Sequence, residues 1–583
     1  MNTSNPPRHA GSGGYALLMV MFFSAVGLMV LSASMNWASQ TALMNERNNQ
    51  LSTTLFAAEA ATEKVITRLM RDYDISGEGT VYGNLASYRT SVPTSAENAL
   101  WSSYAFSNGA GTTNQSYVDR TVAVTYVPLE SQYSGLSGFA STYRVVSNAK
   151  MTNGRFNVTN AVQQDVQLAS IPVFQFAIFY NSLLEFTMAA PLVVRGRVHA
   201  NSNIYVGSSA DLTLQQDVTT TGTINRQAWF GYPVTTFTGA INYQANVSTN
   251  VRSLSLPIGT NNTAAAVREV INMPPAGESM SSAMGQQRYY NKAEMLILVS
   301  NSTVNVQVKT PFDASPVTIP WANASFFIAT NVTFTDQREA KTIRTTQLDI
   351  AKYRIWAATN SSVAAKLGAG NAPNIIYVAD NRSVTSSQLA AVRITNGQTL
   401  PSRGLTLATV NPLYVKGHFN CTNAAHLGTT NTSSSRPASL VSDALTVQSG
   451  GWKDSTSTLA YTSRVPTDTT INAALLSGMV YSSANGTTIR SGGVVNFPRL
   501  LEAWSGRTLT LNGSLVNLYN SARATAPFQW PGAYYTAPNR NFNFDPNFLD
   551  VTKQPPGTPA LRTLIRGSWV NAPPNRTNYV AAF

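Results

Sequence analysis

Two hydrophobic patterns divide this chain. From Ala16 to Leu31 (ALLMVMFFSAVGLMVL) nearly every side chain is apolar, and no charged residue occurs between Arg8 and Glu46. Such a run suits a helix that crosses the hydrocarbon core of a membrane, about 30 Å thick. Beyond it the apolar positions narrow to one side. Leu43, Leu51, Leu55, Ala58, Thr62, Val65 and Leu69 recur mostly at three- and four-residue steps, with charges between them. No proline occurs between Arg8 and Val92 and no glycine between Gly27 and Gly77. One helix is therefore predicted over Tyr15 to Tyr73, roughly 85 to 90 Å long at 1.5 Å per residue. Two glycines in Asp74 to Gly79 break it.

The period then changes from helical to strand-like. Arg120 to Pro128, Thr142 to Met151 and Arg155 to Leu168 alternate apolar and polar residues, and Asn153-Gly154 predicts a tight hairpin between the last two. From Pro191 onward short strands follow at brief intervals: Leu192 to Val194, Arg197-Val198, Asn203 to Val206, Leu212 to Leu214, Val218 and Thr223-Ile224, separated by small and polar turns. Strands this short gain a core by stacking, which predicts a β-solenoid-like region; with no strict repeat period visible, a β-sandwich stays open. Residues 251–375 interrupt the pattern. Asn262 to Ile271 and Thr346 to Ala358 read as short amphipathic helices and Ala293 to Val308 as a hairpin around Asn301-Ser302, so an α+β insertion is expected.

The fold class is thus mainly β with a long N-terminal membrane-spanning α-helix. Its expected units are a polar leader (1–14), a spanning and stalk helix (15–79), a small antiparallel sheet (80–170), two solenoid-like parts (171–250 and 376–553) around the insertion (251–375), and a Pro-rich strap (554–583). The distal β region is expected to hold a core of its own, separate from that of the helix and small sheet.

Composition supports a surface-exposed, strand-and-turn protein without naming a chemistry. Of 583 residues only 11% are charged, below the usual quarter, while Ser, Thr, Asn and Gly abound. The net charge of +13 comes from basic residues scattered singly, so no specific nucleic-acid binding is expected. One cysteine, Cys421, excludes an intramolecular disulfide and a cysteine zinc cluster. His418, Cys421 and His426 lie close in sequence but in an Asn- and Thr-rich loop without a fourth ligand, so no metal and no cofactor is expected. Candidate carboxylates for a polysaccharide-acting groove are Asp211 and Asp217 near Arg195 and Arg197, and Asp336 and Glu339 around Arg338. With so few acids in the chain, each is expected to close a turn or pair with a neighbour, and an enzyme is the less favoured reading.

The segment before the apolar run carries a resemblance. Asn2 to Gly14 is short and polar, holds Arg8 and ends Gly-Ser-Gly-Gly before Tyr15. This resembles the leader of type IV prepilins, which a prepilin peptidase cuts after a glycine on the cytoplasmic side. The resemblance makes Gly14 the residue before the cut and Tyr15 the new N-terminus. The fifth mature position, glutamate in major pilins, is here Met19. Leu55 to Glu63 (LFAAEAATE) is similar to the helix segment of PilX-type pilus assembly proteins. Gly404 to Asn420, Arg436 to Val447 and Asn496 to Trp504 with the LNGSLV strand are similar to the C-terminal region of large proteins carrying that N-terminal domain.

The resemblance implies a minor pilin or assembly component of a type IV pilus or type II secretion apparatus. Met19, Leu55, Ala58, Glu59 and Glu63 would form its filament-packing helix, and its partners would be the membrane, the peptidase and other pilins or pseudopilins. The N-terminus would lie in the cytoplasm and the bulk beyond the inner membrane, with a surface or carbohydrate ligand as a further partner. An anchored adhesin outside any pilus, and an anchored polysaccharide-active enzyme, are the alternatives.

Overall fold

The computed structural model describes residues 13–187, 191–229, 238–483 and 489–572. Residues 1–12 of the leader, with Arg8 and His9, lie outside them. Helix α1 runs unbroken over Gly13–Ser76, as the absence of Pro throughout and of Gly after Gly27 predicts. It stops at Gly77, whose φ of +83° is open to glycine at little cost.

A five-stranded antiparallel sheet seats the second half of α1. Its strands are β1 (Tyr104–Ser107), β2 (Tyr117–Pro128), β3 (Ser137–Met151), β4 (Thr159–Pro172) and the C-terminal strand Ala560–Ala572. Both β1 and β2 pair with β3, which pairs with β4, which pairs with the C-terminal strand. Two expectations change here. Residues 152–158 form a longer connection than an Asn153-Gly154 hairpin, with Lys150 opposite Thr159; Gln50 of α1 accepts the Phe156 N–H at 3.0 Å and holds this loop against the helix. The tail, expected as a strap, supplies a full strand, paired with β4 from Ala560 opposite Pro172 to Ala572 opposite Ala161, with a shift of register between Arg566 and Trp569. Leu561, Leu564 and Ile565 give it buried apolar residues on both faces.

The rest of the molecule is built from short, largely parallel ladders. The longest sheet places Val247–Ser248, Val218–Thr220, Val198–Ala200, Ile178–Tyr180, Leu515–Asn517, Ala474–Ser477, Ala438–Ser442, Leu405–Thr409, Ile375–Asp380 and Met295–Val299 side by side. These neighbours are all parallel. The hairpin strand Val304–Val308 and then Val317–Ile319 close that end antiparallel. The chain enters in the middle of this row at Ile178, builds rungs to one end, crosses to the other at Met295 and builds back until Leu515 meets Ile178.

A repeat is present in the first rungs. Ile178, Val198 and Val218 stack, as do Leu184, Ile204 and Ile224, each pair twenty positions apart. Their apolar side chains line one long core shared with the later rungs. In the parallel strands Thr469–Asn472, Thr508–Gly513 and Asn539–Phe544, Asn472, Asn512 and Asn543 stack by amide hydrogen bonds of 2.9 and 3.2 Å, one structural use for the Asn-rich composition.

The expected insertion is only in part an insertion. Ala264–Arg268 is helical and continues as a 3₁₀ turn to Ile271, but Met295–Val299 is a rung of the long sheet. Within Thr346 to Ala358 the helix begins at Ile350, because Thr345, Thr346 and Leu348 belong to a strand paired with Gln388–Thr395. Asp349 sets that boundary by accepting the Lys352 N–H at 3.0 Å as N-cap. The distal core is not separate either. Leu129, Tyr133, Ala140, Ala169 and Ile171 of the small sheet region pack in one cluster with Phe179, Tyr377, Val441 and Val516 of the long sheet and Leu561 and Ile565 of the tail.

Candidate functional site

Among the described residues the first half of α1 has no partner. Gly14, Tyr15 and Met19 lie in its opening turns, with Tyr15 81% and Met19 57% exposed, and the large apolar side chains from Leu17 to Leu31 are likewise exposed. By length and composition this part is able to cross a membrane.

Small residues bring the second half down onto the sheet. Ala57, Ala58 and Ala61 are buried against Val92, Phe106, Ala149 and Val162, with Leu55 half-buried beside them. Alanines on this side let the helix axis approach the strands closely, while Phe56 points away, 63% exposed. Further along, Val65, Ile66, Leu69 and Tyr73 fill a second cluster with Tyr88, Tyr143, Val145, Val166, Leu168 and Leu564. Hydrogen bonds fix the register: Asn160 donates to the Leu51 carbonyl at 2.7 Å and to Thr54 Oγ1 at 2.8 Å.

Arginines of the C-terminal strand clamp the helix from the side. Arg566 forms an ion pair with Glu63 at 2.7 Å, and Arg562 donates to the carbonyls of Tyr73 and Asp74 at 3.1 and 3.3 Å. Cations suit this end, where unpaired carbonyls and the helix dipole are negative. Of the residues expected on a filament-packing face, then, Ala58 is buried and Glu63 paired within this chain, and both face its own sheet. Met19 is open, Glu59 is half-exposed and Leu55 lies at the rim. Arg562 and Arg566 were not anticipated; the cations four apart in ArgThrLeuIleArg are the local signal, but their partners lie some 500 residues away in sequence.

The candidate chemistry residues do not converge. Asp217 pairs with Arg197 at 2.8 Å and accepts the Asn246 N–H, and Asp211 accepts the Ala240 N–H at 2.8 Å. Asp336 takes the N–H groups of Arg338 and Glu339 and the Tyr414 hydroxyl, while Glu339 pairs with Arg499. His418 accepts the Thr470 N–H at 3.1 Å, His426 bonds to Ser434 and Cys421 is buried. Among the described residues no group of three or more His, Cys, Asp or Glu side chains is placed to hold a metal ion.

One buried acid has a consequence for stability. Glu502 is fully buried, and burial pushes its carboxyl up to about 7 against the pull of two hydrogen bonds from Ser449. A carboxyl that holds its proton more tightly folded than unfolded contributes stability fully present below its unfolded value near 4.5 and lost as the pH rises through about 7. Between pH 5 and 8 the wild type is expected to lose about 3 kcal/mol from this group. Glu502→Gln, whose amide fits the same Ser449 partners, is expected to remove that part of the slope. Denaturant midpoints at the two pH values measure it, and equal slopes for the two proteins would refute it.

No family model matches the chain and no curated protein matches it. Among solved structures, the competence-associated pilin ComZ from Thermus thermophilus is similar at a TM-score of 0.28 and 10% identity, over 90% of this chain and 97% of that one. That value does not establish a shared fold. The fold and site define a mainly β protein carried on one long N-terminal helix, apolar enough over its first part to cross a membrane.

Proposed function

We propose that this chain is a minor pilin-like component of a type IV pilus or type II secretion apparatus, processed by a prepilin peptidase between Gly14 and Tyr15. The stacked parallel ladders form, in this reading, a β-solenoid presented outside the inner membrane to prime a filament or to bind a surface or carbohydrate ligand. The observation that carries it is the division of α1: one continuous helix, apolar and, among the described residues, unpartnered in its first half and seated on a sheet in its second. An exposed apolar half of this kind needs lipid or neighbouring helices around it. The leader and the AAEA segment support helices of other pilins as neighbours. The engagement of the candidate carboxylates in turns and ion pairs supports a non-enzymatic role.

Met19 supports a rare subunit over a bulk one. By the resemblance, glutamate at this position pairs with the amine of the next subunit; a methionine avoids burying a carboxylate in hydrocarbon but offers no partner. The chain is expected not to polymerise alone, and long filaments assembled from it alone would contradict this.

Mass spectrometry of the mature protein tests the central step. An N-terminus at Tyr15 is expected, and an intact Met1 counts against the assignment. Gly14→Val adds a branched β-carbon where glycine permits close approach and is expected to leave unprocessed precursor. Equal maturation of variant and wild type in a peptidase-competent strain would remove the prepilin assignment.

A further inference from the structure

The Asn153-Gly154 pair, predicted as a hairpin turn, sits in the open connection 152–158, where no strand pairing uses it. The same dipeptide occurs at Asn108, Asn396, Asn485 and Asn512. In each case the residue after the asparagine lacks a β-carbon, so its backbone nitrogen can approach the asparagine carboxamide closely. Sequence alone does not rank these sites. Asn485 lies outside the described residues, and the surroundings of the other four differ sharply.

Three of the four are held. Asn108 Oδ1 accepts the N–H groups of Ala110 and Thr112 at 2.9 and 3.1 Å. Asn396 donates its amide to the Asp349 carboxylate at 2.8 Å and stands at a φ of +54°, with Gly397 buried after it. Asn512 is buried in a strand, donates to the Thr429 carbonyl and to Asn472 at 2.9 Å each, and accepts from Asn543 at 3.2 Å. Asn153 is exposed instead. Among the described residues no hydrogen bond holds its carboxamide, and the Gly154 N–H bonds to no carbonyl. A carboxamide that is free to turn reaches the following nitrogen at once, whereas each hydrogen bond that must first break costs about a factor of two to ten in rate.

We propose that Asn153 is a site of spontaneous modification, at which the folded chain converts an asparagine into an aspartyl or isoaspartyl residue. The Gly154 backbone nitrogen gives its proton to hydroxide and attacks Asn153 Cγ. As the N–Cγ bond forms, the Cγ–Nδ2 bond breaks; ammonia leaves with a proton from water, and a succinimide ring remains. Water then opens either carbonyl of that ring and leaves a carboxylate, with nothing oxidised or reduced. The new charge lies two positions before Arg155, which pairs with Glu46 of α1 at 3.0 Å. Because that pair is exposed, a second acid beside it changes stability little, and modified chains stay folded and accumulate.

The test incubates the full chain in non-ionic detergent at alkaline pH and maps its peptides at intervals by mass spectrometry. The Asn153 peptide is expected to convert about tenfold or more faster than those of Asn108, Asn396 and Asn512, and to slow at mildly acid pH, where hydroxide is scarce. In urea the hydrogen bonds are lost and the four rates are expected to converge. Asn153→Gln lengthens the side chain and disfavours the ring, so the peptide spanning 152–158 is expected to stay unmodified in a variant that melts like the wild type. Comparable rates at the four sites in the folded chain, or no conversion at Asn153 while the urea-unfolded chain converts there, would overturn the proposal. So would an acidic form of that peptide that grows equally in N153Q. If Asn153 leads by the same margin in urea, the order comes from local sequence and the ranking by structure falls.

Discussion

Ending the chain at Pro559 is expected to abolish folding of the helix-and-sheet head, although the deleted residues are the last of the sequence. The C-terminal strand is paired with β4 along its length except at Gly567 and Ser568, where the register shifts. It buries Leu561, Leu564 and Ile565 almost completely, each contributing about 1.5 to 3 kcal/mol. It also carries the Arg566 clamp on Glu63 and the Arg562 contacts to the end of α1. Together these rival the 5 to 15 kcal/mol that typically separates folded from unfolded chains. Truncation would further leave β4, a long and largely buried strand, as an open edge that invites aggregation. The expected result is insoluble or rapidly degraded protein, against a stable full-length chain purified in the same detergent. The milder Leu561→Ala with Ile565→Ala separates burial from strand pairing and is expected to lower the melting temperature without loss of expression. A truncated chain with an unchanged pattern of protease protection around β4 would show that the tail strand is an accessory.

That strand also marks where the sequence stops being informative. Helix α1 is legible because two local signals, an uncharged apolar run and a three-to-four-residue apolar step, agree with the absence of Pro throughout and of Gly between Gly27 and Gly77. The rungs from Leu192 to Ile224 are legible for the same kind of reason, short apolar groups fenced by turn residues. The twenty-residue stacking of Val198 on Val218 is harder to see, because Val218 next meets Val247, twenty-nine positions on, and later rungs are spaced wider still. Only the inward-facing positions repeat, and variable loops between them hide the period. What no local pattern reveals is long-range pairing. The tail reads as Pro-rich and polar, and its partner β4 lies about four hundred residues earlier. Assigning separate cores failed for a related reason: residues such as Phe179 and Tyr377 announce burial but not the sheet they are buried against. At the candidate site, burial of Ala58 follows from its spacing on the helix, whereas the positions of the clamp arginines do not.

Leu69→Asp puts the shared core to a direct test. Leu69 is fully buried on α1 among Tyr143, Val166, Leu168 and Leu564, and an unpaired carboxylate there is expected to cost about 3 to 5 kcal/mol. Phe56→Asp, on the exposed side of the same helix, is expected to stay within about 0.5 kcal/mol of wild type. Limited proteolysis in detergent distinguishes two consequences. If the distal β region stood alone, a resistant fragment beginning near Pro172 would survive in the Leu69→Asp variant. The structure points the other way, because Ala140, Ala169 and Ile171 of the small sheet region share one cluster with Phe179, Tyr377 and Val516 of the long sheet. The chain also returns from the distal region, at Ala560–Ala572, to the sheet that seats the helix. Loosening that sheet uncovers the outer face of the long one and frees its tail. A single cooperative loss of resistance across the chain is therefore expected, with one unfolding transition by denaturant, and a stable fragment starting near Pro172 would show that the shared cluster does not couple the two regions.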